Sequence, residues 1–183
     1  MSVSDANAGA NIVLILSSAC DRKRFRIRCG WRLRVIGEDH GVKRLISNQY
    51  ELDDDPVRID REAVHRYLSG ESYWAAARGR EVMDELIETA ARVVGLYASN
   101  GRQLGFARVV SDGHTVSYLA DVYVLEEARG RGLGLELVRF AVDEEPVRST
   151  KIMLHTRDMH ALYAKLGFDK PGERTMERWP TGR

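Results

Sequence analysis

The sequence has few cysteines, no long apolar run and almost no net charge, and each of these absences excludes a class of protein. Only two of its 183 residues are cysteine, Cys20 and Cys29. From residue 49 onward the chain therefore has no disulfide framework, no cysteine-rich metal site and no cysteine nucleophile. We expect a metal-free protein, and the scarcity of cysteine fits a cytoplasmic location.

No hydrophobic segment is long enough to cross a membrane. The apolar run at residues 12–16 is far shorter than the ~20 residues of a spanning helix. No Lys or Arg precedes that run, although a signal peptide would need one. The net charge is +1, which does not favour nucleic acid as a partner. We expect no membrane partner either.

Charge is unevenly distributed along the chain. Residues 1–48 contain nine basic and four acidic residues, a balance of +5, whereas the rest contains 19 basic and 23 acidic residues, a balance of −4. Seven of the cations lie at residues 22–34, which suggests an arm for an anionic surface, although a solvated tail or a misplaced start is the favoured interpretation. We predict a basic extension over residues 1–48 and one domain over residues 49–183.

Hydrophobic periodicity predicts an α+β fold. The predicted helices, with apolar residues at helical spacing, are 60–70, 80–91, 132–143 and 158–166. The predicted strands are 50–52, 93–98, 103–110, 115–125, 152–156 and a last region after residue 168. Two turns, Asn100-Gly101 and Asp112-Gly113, are typical of hairpins. This order predicts a mostly antiparallel sheet flanked by about four helices.

A glycine-rich turn separates the strand at 115–125 from the helix at 132–143. Its residues are Arg129, Gly130, Arg131, Gly132, Leu133 and Gly134. A helix N-terminus leaves backbone N–H groups unpaired and carries partial positive charge. Glycines let that backbone approach a phosphate closely, and the arginines add cationic donors. The turn therefore predicts a pyrophosphate site, and it lacks the spacing of a P-loop or a dinucleotide-binding fold.

Two motifs in order resemble those of the GNAT acyltransferase superfamily. Arg129-x-x-Gly132-x-Gly134 after a strand is similar to the family's acetyl-CoA signature, and residues 161–168 are similar to its second signature, a tyrosine-bearing helix that ends in Gly-Phe. The resemblance covers residues 49–179. It implies an N-acetyltransferase that transfers acetyl from acetyl-CoA to a primary amine by direct attack in a ternary complex, without a metal. A homodimer is common among such proteins.

The resemblance also implies roles for individual residues. The strand before the turn would splay from its parallel neighbour (the fourth and fifth strands in the family's order). In that gap the backbone at Val122 and Val124, which alternate with Tyr123, would bind the pantetheine and acetyl groups. The N–H groups of residues 131–134 would hold the pyrophosphate. Tyr163 would protonate the departing CoA thiolate.

Four further residues are candidates, three for the acceptor side of the site and one, Asp158, for the cofactor side. Asp121 is a carboxylate in an apolar strand, which is costly to bury unless it is paired or functional. It could orient the amine, accept its proton through water, or form an ion pair with an arginine. Asp158 would cap the last helix and touch the cofactor. Tyr73 and Trp74 would wall the acceptor pocket or pack onto the sheet.

His155 and His160 flank the same region, where an ordinary, partly buried histidine is the commoner role. Three functions stay open on the sequence alone. The favoured one is a small-molecule amine acetyltransferase. A protein or peptide amine acetyltransferase would need an open groove, and a non-catalytic acetyl-CoA sensor would use the basic arm. The acidic balance of the domain mildly favours a cationic amine.

Overall fold

The computed structural model describes residues 41–178, which form one six-stranded sheet in the order β1-β2-β3-β4-β5-β6. The strands are β1 (Lys43–Ser47), β2 (Tyr50–Asp53), β3 (Arg92–Ala98), β4 (Gln103–Ser111), β5 (Val116–Val124) and β6 (Lys151–Met153). The helices are α1 (Arg61–Gly70), α2 (Arg80–Glu88), α3 (Leu133–Val142) and α4 (His160–Ala164). All neighbouring strands are antiparallel except β5 and β6. The predicted α+β class, with a mostly antiparallel sheet, is confirmed.

The sheet begins before residue 49. Strand β1 lies inside the predicted basic extension and pairs with β2 through a tight turn. Its two cations made it look like a continuation of the basic extension. In the structure these cations form ion pairs within the domain: Lys43 lies 3.4 Å from the carboxylate of Asp53, and Arg44 lies 3.3 Å from that of Glu144. The seven cations at residues 22–34 lie outside the described residues.

Helices α1 and α2 cover one face of the sheet. The side chain of Asp60 accepts a hydrogen bond from the Ala63 N–H at 2.9 Å, which caps α1 as its sequence predicts. The helices bury apolar residues against strand residues Phe106 and Tyr123. Tyr67 of α1 stacks on Tyr123, with ring centroids 4.0 Å apart. This packing fixes α1 over the C-terminal end of β5.

Helix α3 covers the opposite face. Leu137, Val138 and Phe140 pack with residues of the central strands such as Val94 and Val109, and all of them are buried. Strands β3 and β4 are therefore covered on both faces, and each has a nearly continuous run of buried residues. This two-sided core carries most of the buried apolar surface, the largest favourable contribution to folding.

Strand β6 and helix α4 form a much more exposed flank, over residues 151–168. No residue in that range is buried. The last strand predicted after residue 168 is wrong for residues 169–178, which form no strand. Pro171 and Gly172 explain the difference, because proline lacks an N–H donor and glycine weakens a ladder. Within residues 41–178 no helix is both long enough and apolar enough to span a membrane.

Candidate active site

The sheet opens between β5 and β6. Their parallel pairing runs only from Val116 with Lys151 to Tyr118 with Met153. Strand β5 continues to Val124 without a partner on that side. The predicted splay of the strand before the glycine turn is therefore present, and it leaves a gap that leads to the turn.

Backbone groups of β5 point into this gap. The Leu125 N–H donates to the Leu104 carbonyl on the β4 side at 2.8 Å. Successive residues of a strand present their N–H and C=O groups to alternate sides, so those of Val122 and Val124 point away from β4. The Val124 carbonyl accepts a hydrogen bond from Arg129 Nε at 2.9 Å. The N–H and C=O of Val122 have no ladder partner, because β6 has already ended.

A β-bulge interrupts β5 at Asp121. Between the pairs Arg108 with Ala120 and Phe106 with Tyr123, β5 has one residue more than β4. Asp121 has φ of 52°, in the left-handed region that aspartate tolerates better than most residues. The bulge reverses the faces of the strand, because Leu119 packs with the α3 cluster and Tyr123 with the α1–α2 cluster. Sequence analysis read this segment as a regular strand.

The carboxylate of Asp121 is almost fully buried and is ion-paired with two arginines. Oδ1 accepts a hydrogen bond from Arg78 of the α1–α2 loop at 2.7 Å, and Oδ2 accepts from Arg108 of β4 at 2.8 Å. This arrangement is the ion-pair alternative that the sequence left open. Sequence reasoning missed both arginines. The signal for Arg108 was an opposite charge on the neighbouring apolar strand, whereas nothing in the spacing indicated Arg78.

The glycine turn presents free backbone donors. Gly130 and Gly132 have φ of 75° and 76°, a conformation that favours glycine, and Gly132 is the N-cap of α3. In the part of the chain that the structure describes, none of the backbone N–H groups of residues 130–134 donates to a protein acceptor. Gly134 lies close to Leu162 of α4 and to Val124, so the turn closes one end of the gap.

The two arginine side chains of the turn contact tyrosines. Besides the Val124 carbonyl, Arg129 donates to the Tyr67 hydroxyl at 3.0 Å, which ties the turn to α1. Arg131 is exposed and donates to the hydroxyl of Tyr50. Arg131 lies at the rim of the turn, and its role as a phosphate donor stays a prediction. The Arg129 side chain instead holds the strand end in place.

Tyr163 lies on α4 with its ring edge-on to Phe168, at a centroid distance of 5.7 Å. Among the described residues its hydroxyl has no hydrogen-bond partner. Burial, and then the neighbouring Tyr73, Asp158 and Tyr118, raises the pKa of Tyr163 to about 12. The phenol therefore keeps its proton at any physiological pH.

The α1–α2 loop meets the segment after β6 on the acceptor side. The Tyr73 hydroxyl accepts a hydrogen bond from the Arg157 N–H at 3.2 Å, and the Arg157 guanidinium lies 4.1 Å from the centre of the Tyr73 ring. Trp74 packs edge-on against Tyr73 at 4.9 Å. Tyr73 and Trp74 are 53% and 38% exposed, so they stand at the surface rather than packing under the sheet.

The prediction that Asp158 caps the last helix is wrong. The N-cap of α4 is Met159, and no side chain caps it. The Met159 N–H instead donates to the Thr156 hydroxyl at 3.1 Å, which takes the place of a cap at Asp158. Asp158 is exposed and lies 3.8 Å from the Arg157 guanidinium.

A cavity of about 480 Å³ lies elsewhere, between α1 and the β3–β4 hairpin. Its walls include Tyr97, Gln103 and Tyr123, and its rim carries both signs of charge. Neither Tyr163 nor the glycine turn lines it. Sequence analysis did not predict this cavity, because its walls come from three separate stretches of the chain.

Comparison with known proteins identifies the family. The model of the acetyltransferase (GNAT) family matches residues 61–168. A crystal structure from Xanthomonas campestris pv. campestris, described as a putative acetyltransferase of the GNAT family, is 34% identical with a TM-score of 0.67, and the match covers 73% of this chain and 94% of that one. A Gibberella zeae protein named as a putative acetyltransferase is 29% identical over 140 residues, 64% of this chain and 78% of its own.

Glucosamine-6-phosphate N-acetyltransferase from Arabidopsis thaliana shares the fold at 15% identity and a TM-score of 0.53, over 72% of this chain and 99% of that one. The chain belongs to the GNAT family and is an acyltransferase that transfers acetyl groups. Members of this family use acetyl-CoA as co-substrate. The resemblance stated from two short motifs is confirmed.

Proposed function

We propose that this protein is an acetyl-CoA-dependent N-acetyltransferase of a small-molecule primary amine, acting by direct attack in a ternary complex. The observation that carries the proposal is the gap beside β5, which ends at a run of unpaired backbone N–H groups. An extended arm fits the gap and a diphosphate fits the N–H groups, and coenzyme A has both. We also propose a cytoplasmic location.

In this proposal the pantetheine arm of CoA pairs with β5. The backbone N–H and C=O of Val122 and the N–H of Val124 are hydrogen-bonding groups that β6 leaves unpaired, so the ligand would complete the ladder. The pyrophosphate lies at the N-terminus of α3, where the N–H groups of residues 130–134 and the helix dipole favour negative charge. Arg131 adds a charge-assisted contact at the rim.

Tyr163 is the proposed general acid. The amine attacks the acetyl carbonyl carbon, the C–N bond forms, and the C–S bond then breaks to release a thiolate. The phenol of Tyr163 donates its proton to that sulfur. Its raised pKa means that the acid form persists well above pH 7, so Tyr163 gives no loss of activity between neutral pH and about pH 10.

Asp121 is assigned a positioning role rather than that of proton acceptor. Both of its oxygens accept hydrogen bonds from guanidinium groups, and taking a proton would weaken both ion pairs. It holds the bulge and the α1–α2 loop together. That loop carries Tyr73 and Trp74, the proposed walls of the acceptor pocket.

The contact between Tyr73 and Arg157 covers the acceptor side of the gap and favours a small acceptor over a protein chain. Tyr73 joins the α1–α2 loop to Arg157 across the mouth of the gap. A protein or peptide amine would need an open groove at this place. Acetylation of a peptide N-terminus with higher kcat/KM than that of any free amine would contradict this part of the proposal.

Calorimetry with coenzyme A tests the site, and CoA release from acetyl-CoA across a panel of primary amines tests the reaction. We expect binding, and turnover with at least one amine. The panel should also be run on a protein that lacks residues 2–40, because unchanged turnover would dismiss a sensor that depends on the basic arm. The absence of heat with CoA would overturn the whole assignment.

Tyr163→Phe tests the general acid. We expect kcat to fall about 100-fold, with the affinity for acetyl-CoA unchanged, because only a hydroxyl is removed. Tyr97→Phe is the matched control, since the Tyr97 hydroxyl is buried without a hydrogen-bond partner among the described residues. A Tyr163→Phe enzyme with the kcat of the wild type would remove Tyr163 from the mechanism.

A further inference from the structure

A chain of three polar side chains begins where the sheet opens. The hydroxyl of Tyr118 lies 2.9 Å from Nδ1 of His155, and Nε2 of His155 lies 2.5 Å from Oε1 of Glu177. Tyr118 is the last residue of β5 that pairs with β6, three residues before the bulge. His155 lies between β6 and α4, and Glu177 lies in the C-terminal segment after α4. No sequence spacing relates the three residues.

The contact with Glu177 sets the direction of these hydrogen bonds. We assign a proton to Nε2, because Nε2 lies 2.5 Å from a carboxylate oxygen and two lone pairs would repel each other at that distance. Nδ1 of a neutral imidazole is then the acceptor, and the Tyr118 O–H donates to it. The arrangement matches the logic of a triad, in which a carboxylate orients a histidine and stabilises its protonated form.

Tyr118 lies on the acceptor side of β5. Leu119 packs with the α3 cluster, so its neighbour Tyr118 faces the opposite side, where the α1–α2 loop lies. The charged groups that act on Tyr118 are Asp121 of its own strand, Arg108 of β4 and Glu177 of the C-terminal segment. Tyr118 is also close enough to α4 to affect Tyr163.

The pKa of Tyr118 is suited to a side chain that relays a proton. Burial, followed by the negative charges of Asp121 and Glu177, raises the pKa of Tyr118, whereas a hydrogen bond from the backbone of His155 and the charge of Arg108 act in the opposite direction. Tyr118 therefore keeps a proton at neutral pH. Its oxygen can take a proton from another group only while its own proton passes to Nδ1 of His155. The imidazole of His155 is therefore the final proton acceptor within the protein.

We propose that Tyr118, His155 and Glu177 form the relay that removes the proton from the acceptor ammonium group. The inference rests on the proposed function and supplies its missing proton acceptor, since the oxygens of Asp121 are taken up by two arginines. The ammonium N–H proton passes to the Tyr118 oxygen while the Tyr118 proton passes to His155. Glu177 stabilises the imidazolium and orients the ring, which makes it a positioning residue.

The protons balance over one turnover. The ammonium group loses one proton to the relay and becomes a neutral amine, which attacks the acetyl carbon. When the C–S bond breaks, the thiolate takes a proton from Tyr163. The nitrogen loses its second proton at the same stage, and that proton restores the phenol of Tyr163. His155 is 63% exposed on its side chain, so it returns the first proton to solvent. The net release is one proton for each amide formed.

The test uses the full-length protein, acetyl-CoA and the most active amine of the panel, with kcat/KM measured from about pH 5 to pH 9. For His155→Gln we expect a loss of about 100-fold at neutral pH and a flattened acidic limb. For Glu177→Gln we expect about tenfold. His160→Gln and Glu173→Gln are matched controls, because both residues are exposed and neither belongs to the relay.

A second acceptor separates proton removal from structural damage. A fluorinated analogue of the same amine, uncharged at neutral pH, has no ammonium proton to lose, so His155→Gln should reduce its acetylation by less than about threefold. CoA binding by calorimetry should be unchanged in all variants. An equal loss for both acceptors would overturn the relay and leave His155 with a structural role.

Different results would exclude the proposed function and the relay. A wild-type protein that binds no CoA and acetylates no amine removes the proposed function, and the relay with it. A wild-type protein that turns over, together with a His155→Gln protein that keeps its kcat/KM and pH profile, removes the relay alone. In that case the acetyltransferase assignment stands.

Discussion

The central strands and the exposed flank belong to one sheet but are held by different means. Strands β3 and β4 are buried on both faces by two helical layers, whereas no residue from 151 to 168 is buried. Segments with few buried contacts open at lower free-energy cost than the core. The flank carries the tyrosine motif of the family and borders the gap, so Tyr163, the proposed general acid, lies on a weakly packed part of the described chain.

The largest difference between the two regions should appear on truncating apolar side chains. Phe106→Ala removes a fully buried ring and should lower the free energy of unfolding by about 3–5 kcal/mol. Leu162→Ala on α4 should cost only about 1 kcal/mol without ligand, because Leu162 is half-buried. Urea denaturation measures both. Equal costs would mean that the flank is as well packed as the core.

Next in size is the loss of the buried ion pairs at the bulge. Asp121→Asn removes the charge that faces Arg78 and Arg108 and should cost about 3 kcal/mol, because it leaves the buried guanidinium of Arg108 uncompensated. Asp158→Asn, in the exposed pair with Arg157 at 3.8 Å, should cost less than about 1 kcal/mol. Thermal unfolding of both variants measures the two losses of stability and shows whether that of Asp121→Asn is the larger. A mild effect at Asp121 would contradict a structural role for the pair.

Ligand binding should narrow the difference between the regions. CoA at about 100 times its dissociation constant stabilises the bound protein by about 2.7 kcal/mol. Amide hydrogen exchange should then slow most in residues 160–168, by up to about 100-fold, and less within β3. Slowing confined to the central strands would place the ligand elsewhere.

The smallest of these effects concerns the glycine turn. Gly132→Asp adds a side chain and a negative charge at the proposed pyrophosphate position and should weaken CoA binding at least tenfold, or about 1.4 kcal/mol. Gly113→Asp is the matched control, because Gly113 has φ of 75° in the β4–β5 turn and carries the same backbone strain. Calorimetry on both separates charge at the site from strain. Equal CoA affinity in the two variants would show that the turn does not hold the phosphates.

Much of the fold was predictable because its signals are local. Helix α1 with its Asp60 cap, the Asn100-Gly101 turn and the glycine turn before α3 each depend on residues a few positions apart. The gap was predicted only through the resemblance to a family, since no local pattern reveals where two strands separate. Strand β1 was missed because its lysine and arginine continue a basic segment.

The acceptor side was the least predictable part of the site. Asp121 stood out as a charge in an apolar strand, but its partner Arg78 lies 43 positions away, on a loop without a regular pattern. Tyr118, His155 and Glu177 are joined only by the final fold. Contacts of this kind follow from how separate elements pack together, and periodicity carries no information about that packing.

The extra residue at Asp121 has a consequence for sequence length. It shifts the alternation of side chains by one position. Odd-numbered residues before the bulge, such as Leu119, therefore face α3, whereas Tyr123 after it faces α1 and α2. Removing one residue between Leu119 and Val122 would turn the side chains of Val122, Tyr123 and Val124 to the opposite faces of the sheet and displace the glycine turn that follows them. Changes in length should therefore be tolerated in the Asp112-Gly113 hairpin but not within this short stretch.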